Sequence, residues 1–199
     1  MSKRFVSTAL LAVLVLSLFS LALAEDAKKP AAAGAMPAMP EGMPAMGPPK
    51  ELAACADKIG TWDVATEMRM DPNAAFMPSV GVCTFSMVVG GAAVQSVYTS
   101  NMMGMPFEGM GLTTYHTGTA KWMTTWVDNM GGTMSVYTGG MKDGKMVMTG
   151  TDMMMGQVWQ THITEGPVKD GKYDFQMEHS TDDGKTWAVF MKSVYTKRK

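Results

Sequence analysis

The feature that most constrains the fold is an alternation of apolar and polar residues with a period of two. In the segment "TWDVATEMRM", residues 61–70, Trp62 and Met68 belong to an apolar set that alternates with charged or small residues. "YDFQMEH", residues 173–179, and "TWAVFMKSVY", residues 186–195, repeat the pattern. In the last of these, one face opposite Lys192 carries Trp187, Val189, Met191 and Tyr195. Such alternation is typical of antiparallel strands with one buried face and one face in water.

Seven further strands are predicted between these segments. They are residues 80–89, 92–100, 109–116, 120–128, 133–138, 145–151 and 157–164. Turn-forming pairs such as Gly90-Gly91, Asp143-Gly144 and Asp170-Gly171 separate them. About ten short strands joined by tight turns predict an all-β fold, a single antiparallel meander that closes into a barrel and so leaves no open edge.

Two further predictions concern the first element and the barrel interior. "KELAACADKIG", residues 50–60, follows Pro49 and ends at a glycine, which predicts a short N-terminal helix. The strand alternation predicts an interior that includes Trp62, Met68, Phe175, Met177 and Met191. His179 continues the same face. A hydrogen-bonded core or rim histidine is the favoured interpretation, and a haem ligand is the alternative.

Residues 1–24 have the layout of a secretory signal peptide. Lys3 and Arg4 precede an apolar run at residues 5–23, and a small-x-small site predicts cleavage after Ala24. An uncleaved membrane anchor is the alternative, since the run is nearly long enough to span a bilayer. We therefore predict a periplasmic or secreted protein with no membrane segment after cleavage.

Residues 25–49 are rich in Pro, Ala and Gly and are predicted to be a disordered linker. Within it, "MPAMPEGMPAM" contains Met36, Met39, Met43 and Met46. These side chains have no core to fill. Either they reflect drift in a low-complexity segment, or they are exposed thioether ligands for a soft metal ion such as Cu(I) or Ag(I).

Charge and cysteine content set further bounds. The formal net charge is −1, which gives no electrostatic reason to expect a nucleic-acid partner. Cys55 and Cys83 would enter an oxidising compartment, where a disulfide and two free thiols are both open alternatives. Nothing in the composition fixes an oligomeric state.

Two sets of residues resemble known proteins. Gly60-Thr61-Trp62 is similar to the G-x-W element of the calycin barrels, the lipocalin-like superfamily. There the Trp packs on the barrel floor against a basic residue near the last strand, a place that Lys197 or Arg198 would fill. The segments "MDPNAAFMPSVG", "SNMMGMPFEGMGLTTYH", "TTWVDNMGG" and "SVYTKRK" resemble a bacterial secreted family of unknown function that is generally placed with the calycins.

The signature of that family is MMGMPFEG-x-G-x-TGYD followed by S-T-W-x-D-x-MG. The chain departs from it at residues 114–116, Thr-Tyr-His, where the family has Gly-Tyr-Asp. The resemblance covers residues 50–199 and implies a calycin-like barrel domain there. It implies no established activity.

No catalytic motif supports an enzyme. The chain lacks an H-E-x-x-H zinc site, a G-x-S-x-G elbow and a P-loop. Glu108 and Asp128 are carboxylates within the family-like segments, and capping or turn roles are favoured for both. No catalytic residue and no resident cofactor are predicted.

Methionine raises the main functional question, since it accounts for 24 of 199 residues. Beyond residue 24 the chain has only two leucines and two isoleucines, so methionine is predicted to replace them as core filler. In "NMMGMPFEGMG", residues 101–111, we predict a loop whose Met102, Met103, Met105 and Phe107 form the rim of a pocket at one end of the barrel.

The leading prediction is non-enzymatic binding of a small apolar molecule inside the barrel. The predicted contact residues are Trp62, Met102, Met103, Met105, Phe107, Phe175, Met177 and His179. One alternative is Cu(I) or Ag(I) binding through the methionine-rich motifs. Another is a sacrificial antioxidant role, in which exposed methionines are oxidised to sulfoxide and repaired.

Overall fold

The computed structural model describes residues 47–102, 104–154 and 156–199. These belong to one compact unit, Met46–Lys199. The predicted signal peptide and the linker methionines Met36, Met39, Met43 and Met46 lie outside the described residues, as does Met103.

Ten antiparallel strands form a closed barrel, as the alternation and turns predict. Each strand pairs with its neighbours in the chain, and β1 pairs with β10 to close the wall. The strands are β1 (Gly60–Met68), β2 (Met77–Val88), β3 (Ala93–Met102), β4 (Met105–His116), β5 (Lys121–Asp128), β6 (Ser135–Lys142), β7 (Lys145–Met154), β8 (Gln157–Glu165), β9 (Lys172–Ser180) and β10 (Ala188–Lys197).

A 3₁₀ helix, Lys50–Lys58, closes one end of the barrel. Its Leu52 and Cys55 are buried and pack with Val94 and Trp122 in one apolar cluster. The position of the predicted helix is confirmed, although the helix is the tighter 3₁₀ type. None of the helices in the described part of the chain is long and apolar enough to cross a membrane.

The floor of the barrel lies directly above this helix and has Trp62 at its centre. The Trp62 side chain is 0% exposed, and its Nε1 donates to the Lys58 carbonyl at 2.7 Å. Lys197 Nζ lies 5.4 Å from the Trp62 ring centroid, a cation–π contact. Arg198 instead donates to Asp63 Oδ1 at 2.6 Å on the outside. Of the two candidate partners for Trp62, Lys197 is therefore confirmed.

The segment at residues 101–111 is a hairpin rather than the predicted loop. Met102, the last residue of β3, pairs with Met105, the first residue of β4. Gly104 there has φ of +82°, which glycine adopts without strain. The glycines and proline of this segment suggested irregular backbone, but from Met105 onwards it is regular strand.

A β-bulge in β10 changes the alternation near the start of that strand. Val189 pairs with Glu178 and Met191 pairs with Met177, which leaves Phe190 as the extra residue. Val189 therefore lies on the outer side with Glu178, and the prediction that it shares a face with Met191 is wrong. The Phe190 ring turns inward, with its centroid 4.5 Å from that of His179.

Candidate functional site

The inner face of the barrel carries small and hydroxyl-bearing side chains as well as apolar ones. Thr66, Thr161 and Ser193 are buried there. Inward-facing residues such as Met177, in the middle of β9, and Tyr195, toward the floor, nevertheless keep part of their surface accessible. Because the wall is closed, that surface faces space inside the barrel. The interior is therefore incompletely filled by its own side chains.

Hairpin turns and loops form the end opposite the 3₁₀ helix, which we call the mouth. The β3–β4 hairpin places Met102 and Met105 there, and the Met105 side chain is 48% exposed. One step further in, the Phe107 ring packs edge-on against Tyr98 with 5.9 Å between centroids. The predicted rim residues of the described chain thus gather at one end of the barrel.

The two segments that resemble the family signature meet at the mouth. Gly109 on β4 pairs with Asp128 on β5, and a Cβ at Gly109 would lie 2.2 Å from Trp126 Cζ2. Trp126 Nε1 donates to Asp128 Oδ2 at 3.0 Å. The other carboxylate oxygen accepts from the backbone N–H groups of Met130 and Gly131. Asp128 is therefore a turn residue, as predicted.

A largely buried carboxylate cluster lies on the inner face of β6, β7 and β8. Asp152 Oδ1 accepts from Ser135 Oγ and Tyr137 Oη, each at 2.5 Å. Its Oδ2 accepts from Thr161 Oγ1 at 2.6 Å. Three hydroxyl donors thus converge on one carboxylate, an arrangement that stabilises the ionised form.

The pKa of Asp152 follows from two opposing effects. Burial by itself raises this pKa, but the His179 ring and the hydroxyls of Ser135, Thr161 and Tyr137 outweigh burial and lower it to about 2. Burial and the neighbouring negative charge raise the pKa of Tyr137. In the described part of the chain no Lys or Arg forms an ion pair with Asp152. The contacts of this carboxylate in the described part of the chain are therefore the three hydroxyls and the His179 ring.

Beside this carboxylate, two aromatic side chains have unpartnered nitrogen atoms. His179 is 5% exposed, and its Nε2 lies 3.5 Å from Asp152 Oδ2, too far for a well-formed hydrogen bond. Among the described residues, neither His179 ring nitrogen has a well-formed hydrogen-bond partner, and neither does Trp159 Nε1. The two rings meet edge-to-face with 5.1 Å between centroids.

Leaving a buried polar group without a partner costs about 1–3 kcal/mol, so native proteins rarely do so without a reason. Here three such nitrogens, from His179 and Trp159, lie together inside a partly empty barrel. A ligand with hydrogen-bonding atoms could supply the missing partners. We therefore take Asp152, His179 and Trp159 as the centre of the candidate site.

The predicted contact residues are divided among the floor, wall and mouth. His179 faces inward, as predicted, and Phe175 and Met177 precede it on the inner face of β9. Met102, Met105 and Phe107 are at the mouth. Trp62 is enclosed at the floor, away from this cluster. The structure thus brings His179 and the β9 residues together and leaves Trp62 apart.

Sequence reasoning missed most of the polar cluster, namely Ser135, Tyr137, Asp152, Trp159 and Thr161. One signal was available. In β7, Asp152 continues the same alternate positions as Met148 and Gly150, so it faces inward with them. An acidic residue in phase with the core positions of a strand indicates a buried carboxylate that needs partners.

Both cysteines lie near the floor, Cys55 on the 3₁₀ helix and Cys83 on β2. Each is a buried free thiol in the structure. Burial raises the pKa of both, that of Cys83 to about 12. A neutral buried thiol is a poor nucleophile. Of the two alternatives, the structure has the free thiols.

The surface depression of about 1230 Å³ that crosses β9, β10 and β1 is a different feature. Its lining includes outward-facing residues such as Glu67, Val80 and Lys192, together with the inner-face residues Thr66, Phe175 and Ser193. It contains neither Asp152, His179 nor Trp159. We place the site inside the barrel because the unpartnered polar atoms lie there.

An antiparallel barrel of ten strands, with a helix at one end and a Trp62–Lys197 contact on its floor, defines a calycin-like protein. The chain belongs to the family described as "Protein of unknown function (DUF1579)", which matches residues 48–197. No curated protein matches it.

Proposed function

We propose that this protein binds a small, mostly apolar molecule inside the barrel and holds one uncharged polar group of that molecule at His179 and Trp159. The observation that carries the proposal is the set of three buried ring nitrogens, at the inner end of the mouth, that lack a hydrogen-bond partner among the described residues. Around them the wall supplies aromatic and thioether surface from Phe190, Phe175 and Met177. Such a combination of apolar lining and few polar groups is typical of ligand pockets.

The charge of the site limits which polar group of a ligand can bind there. Trp159 Nε1 only donates, so the ligand atom facing it must be an acceptor. Asp152 is ionised and lies 3.5 Å from His179, so a ligand carboxylate beside it would meet a like charge. A carbonyl or hydroxyl oxygen accepts the same hydrogen bond without that repulsion. The proposal is therefore a neutral ligand, such as a ketone, ester or alcohol with an apolar body.

Location forms part of the same proposal. The signal peptide predicted for residues 1–24 would deliver the barrel to the periplasm or the medium, where it would meet apolar molecules that need a carrier. N-terminal sequencing of protein exported from cells checks this directly. Cleavage after Ala24 is expected, and recovery only in the cytoplasm with an intact N-terminus would contradict it.

Native mass spectrometry of protein purified from cells without denaturation tests the binding. We expect an added mass of one organic molecule per chain, which is released on denaturation. Trp159→Phe and His179→Phe should each reduce the occupied fraction, because a lost hydrogen bond of about 1.5 kcal/mol weakens binding about tenfold.

Matched controls come from the outer face. The His162 ring stacks on Trp187 at 4.0 Å between centroids, outside the barrel. His162→Gln and Trp187→Phe change the same residue types and should leave the occupied fraction unchanged. If the inner and outer variants retain the ligand equally, or the native protein carries none and binds no neutral apolar probe, the proposal fails.

A further inference from the structure

Four methionines lie at directly paired positions on four neighbouring strands. The pairs are Met77 with Met68, Met68 with Met191, and Met191 with Met177. We call these four residues the methionine row. The row starts at the mouth, where Met77 is 41% exposed, and runs inward to Met68, which is 8% exposed. From the geometry of this row we propose that it binds one soft monovalent cation, Cu(I) or Ag(I), inside the barrel.

Strand geometry brings the sulfur atoms within reach of one ion. Directly opposed residues of antiparallel strands have Cβ atoms about 4.5–5.5 Å apart. The unbranched methionine side chain has three rotatable bonds, so neighbouring thioethers can turn toward a common point. Met68, Met191 and Met177 occupy three consecutive strands and supply the three inner ligands. Thioethers prefer Cu(I) to hard cations.

This set differs from a hard-metal site. Among the described residues, no group of three or more His, Cys, Asp or Glu side chains is placed to hold a metal ion. The row consists entirely of neutral, soft donors, so a doubly charged hard cation would gain little there. A singly charged soft cation loses less hydration energy on entering and gains favourable contacts with sulfur.

The interior also supplies a compensating charge. Asp152 is ionised and has no Lys or Arg partner in the part of the chain that the structure describes. It lies 3.5 Å from His179, which is two residues from Met177 on the same face of β9. Two residues along a strand span about 7 Å. A cation held by the row would therefore have the Asp152 carboxylate roughly 10 Å away, and attraction over that distance offsets a small part of its desolvation cost.

Core packing alone is the competing explanation, and it makes a different prediction. Exchange of Met for Leu keeps volume and apolar character and usually costs less than about 1.5 kcal/mol. If the row only fills space, the triple variant Met68→Leu, Met177→Leu, Met191→Leu should behave like the parent in every metal assay. If the row binds the ion, this variant keeps its fold and loses the metal.

The test is an anaerobic Cu(I) titration against a competing colorimetric chelator. The parent protein should carry leucine at positions 36, 39, 43 and 46, so that the linker motif cannot contribute. We expect one tightly held Cu(I) per chain, and a loss of affinity of more than about 100-fold in the triple variant, because every inner ligand is removed. The control variant replaces the exposed Met110, Met134 and Met141 by leucine and should bind as the parent does.

A second measurement uses the parent protein, so its result does not depend on whether the triple variant folds. Ag(I), a diamagnetic substitute for Cu(I), is added to the parent labelled with ¹³C at the methionine methyl groups. The resonances of Met68, Met177 and Met191 should shift together at one equivalent, while that of Met110 stays in place. The proposal is overturned if the parent holds no Cu(I) against the chelator, if the triple variant binds as tightly, or if the shifts occur only at exposed methionines. Trp159→Phe should leave Cu(I) binding intact, which separates this result from the small-molecule proposal.

Discussion

Asp152 is the residue whose ionisation most affects the barrel interior. Its pKa is about 2 in the folded protein against an ordinary value of 3.8, a difference worth about 2 kcal/mol of stability. Because the folded pKa is the lower one, this stability is complete above about pH 5. It is lost as the pH falls through 3.8 toward 2, since the unfolded chain takes up its proton first.

We therefore predict that Asp152→Asn lowers the free energy of unfolding by about 1–3 kcal/mol at pH 7. The gap between variant and parent should narrow as the pH falls from 5 to about 2. Urea unfolding at a series of pH values measures this. Asp63→Asn removes an exposed carboxylate paired with Arg198 and serves as the control, with little change expected. A gap for Asp152→Asn that stays constant with pH would contradict the assigned ionisation.

Gly109 shows how a single missing Cβ shapes the mouth. Any side chain there would meet the Trp126 ring at 2.2 Å, and the ring is held by its bond to Asp128. Gly109→Ala should lower the unfolding free energy by about 1–3 kcal/mol through overpacking. In the background of Trp126→Leu the cost should become smaller, a coupling that a double-mutant cycle measures.

Gly140→Ala is the matched control for this prediction. Gly140 is also in a strand, has no described residue within 4 Å of its added Cβ, and does not have a positive φ. The substitution should change stability by less than about 0.5 kcal/mol. Equal costs at positions 109 and 140 would show that the Trp126 contact is unimportant.

At the scale of elements, Leu52 is the most deeply buried side chain of the 3₁₀ helix. This side chain is 1% exposed and packs with Val94 and Trp122. Leu52→Ala should lower the unfolding free energy by about 2–5 kcal/mol, measured by denaturant unfolding. Lys50→Ala, at an exposed position of the same helix, should have almost no effect. Similar small effects for both would mean that the helix does not seal the floor.

At this scale, most strands can be predicted from the residue pattern, whereas the β3–β4 hairpin and the β10 bulge cannot. The ten strands follow from alternation and turn residues, because a half-buried strand requires that pattern along its own length. For the β3–β4 hairpin the sequence predicts a loop, because proline and glycine usually weaken strands. Gly109 is nevertheless part of a regular strand, because the Trp126 ring on the neighbouring strand β5 fills the space that a side chain at position 109 would occupy. The bulge at Phe190 cannot be predicted from the sequence of β10 alone, because a bulge is defined by how a strand pairs with its neighbour.

At the scale of the whole molecule, the incompletely filled interior predicts a stability that depends on ligand. A ligand that binds only the folded barrel stabilises it by about 2.7 kcal/mol at a free concentration 100 times Kd. Protein purified natively should therefore melt several degrees higher than the same protein unfolded in denaturant, dialysed and refolded. Adding back the organic extract of the native protein should restore the higher Tm. Identical Tm values for occupied and refolded samples would contradict ligand-linked stability.

The two segments that resemble the family signature come into contact only in the folded barrel. Gly109 and Asp128 are 19 positions apart in sequence, yet they pair across β4 and β5. Their role is to place Trp126 and the turn after it, which is structural. The polar centre of the candidate site lies on β7, β8 and β9 instead, outside both signature segments.

The sequence by itself determined the barrel, its helix and the inward direction of Trp62, Met68, Met177 and His179. These depend on residue order along single strands, and that order is fully present in the chain. Only the tertiary structure decided which inward residues meet. Register and strand closure bring Asp152 to His179 and align Met68 with Met191, because contacts across a sheet depend on how strands are paired. The wall could be predicted from the sequence, whereas the site and the methionine row could not.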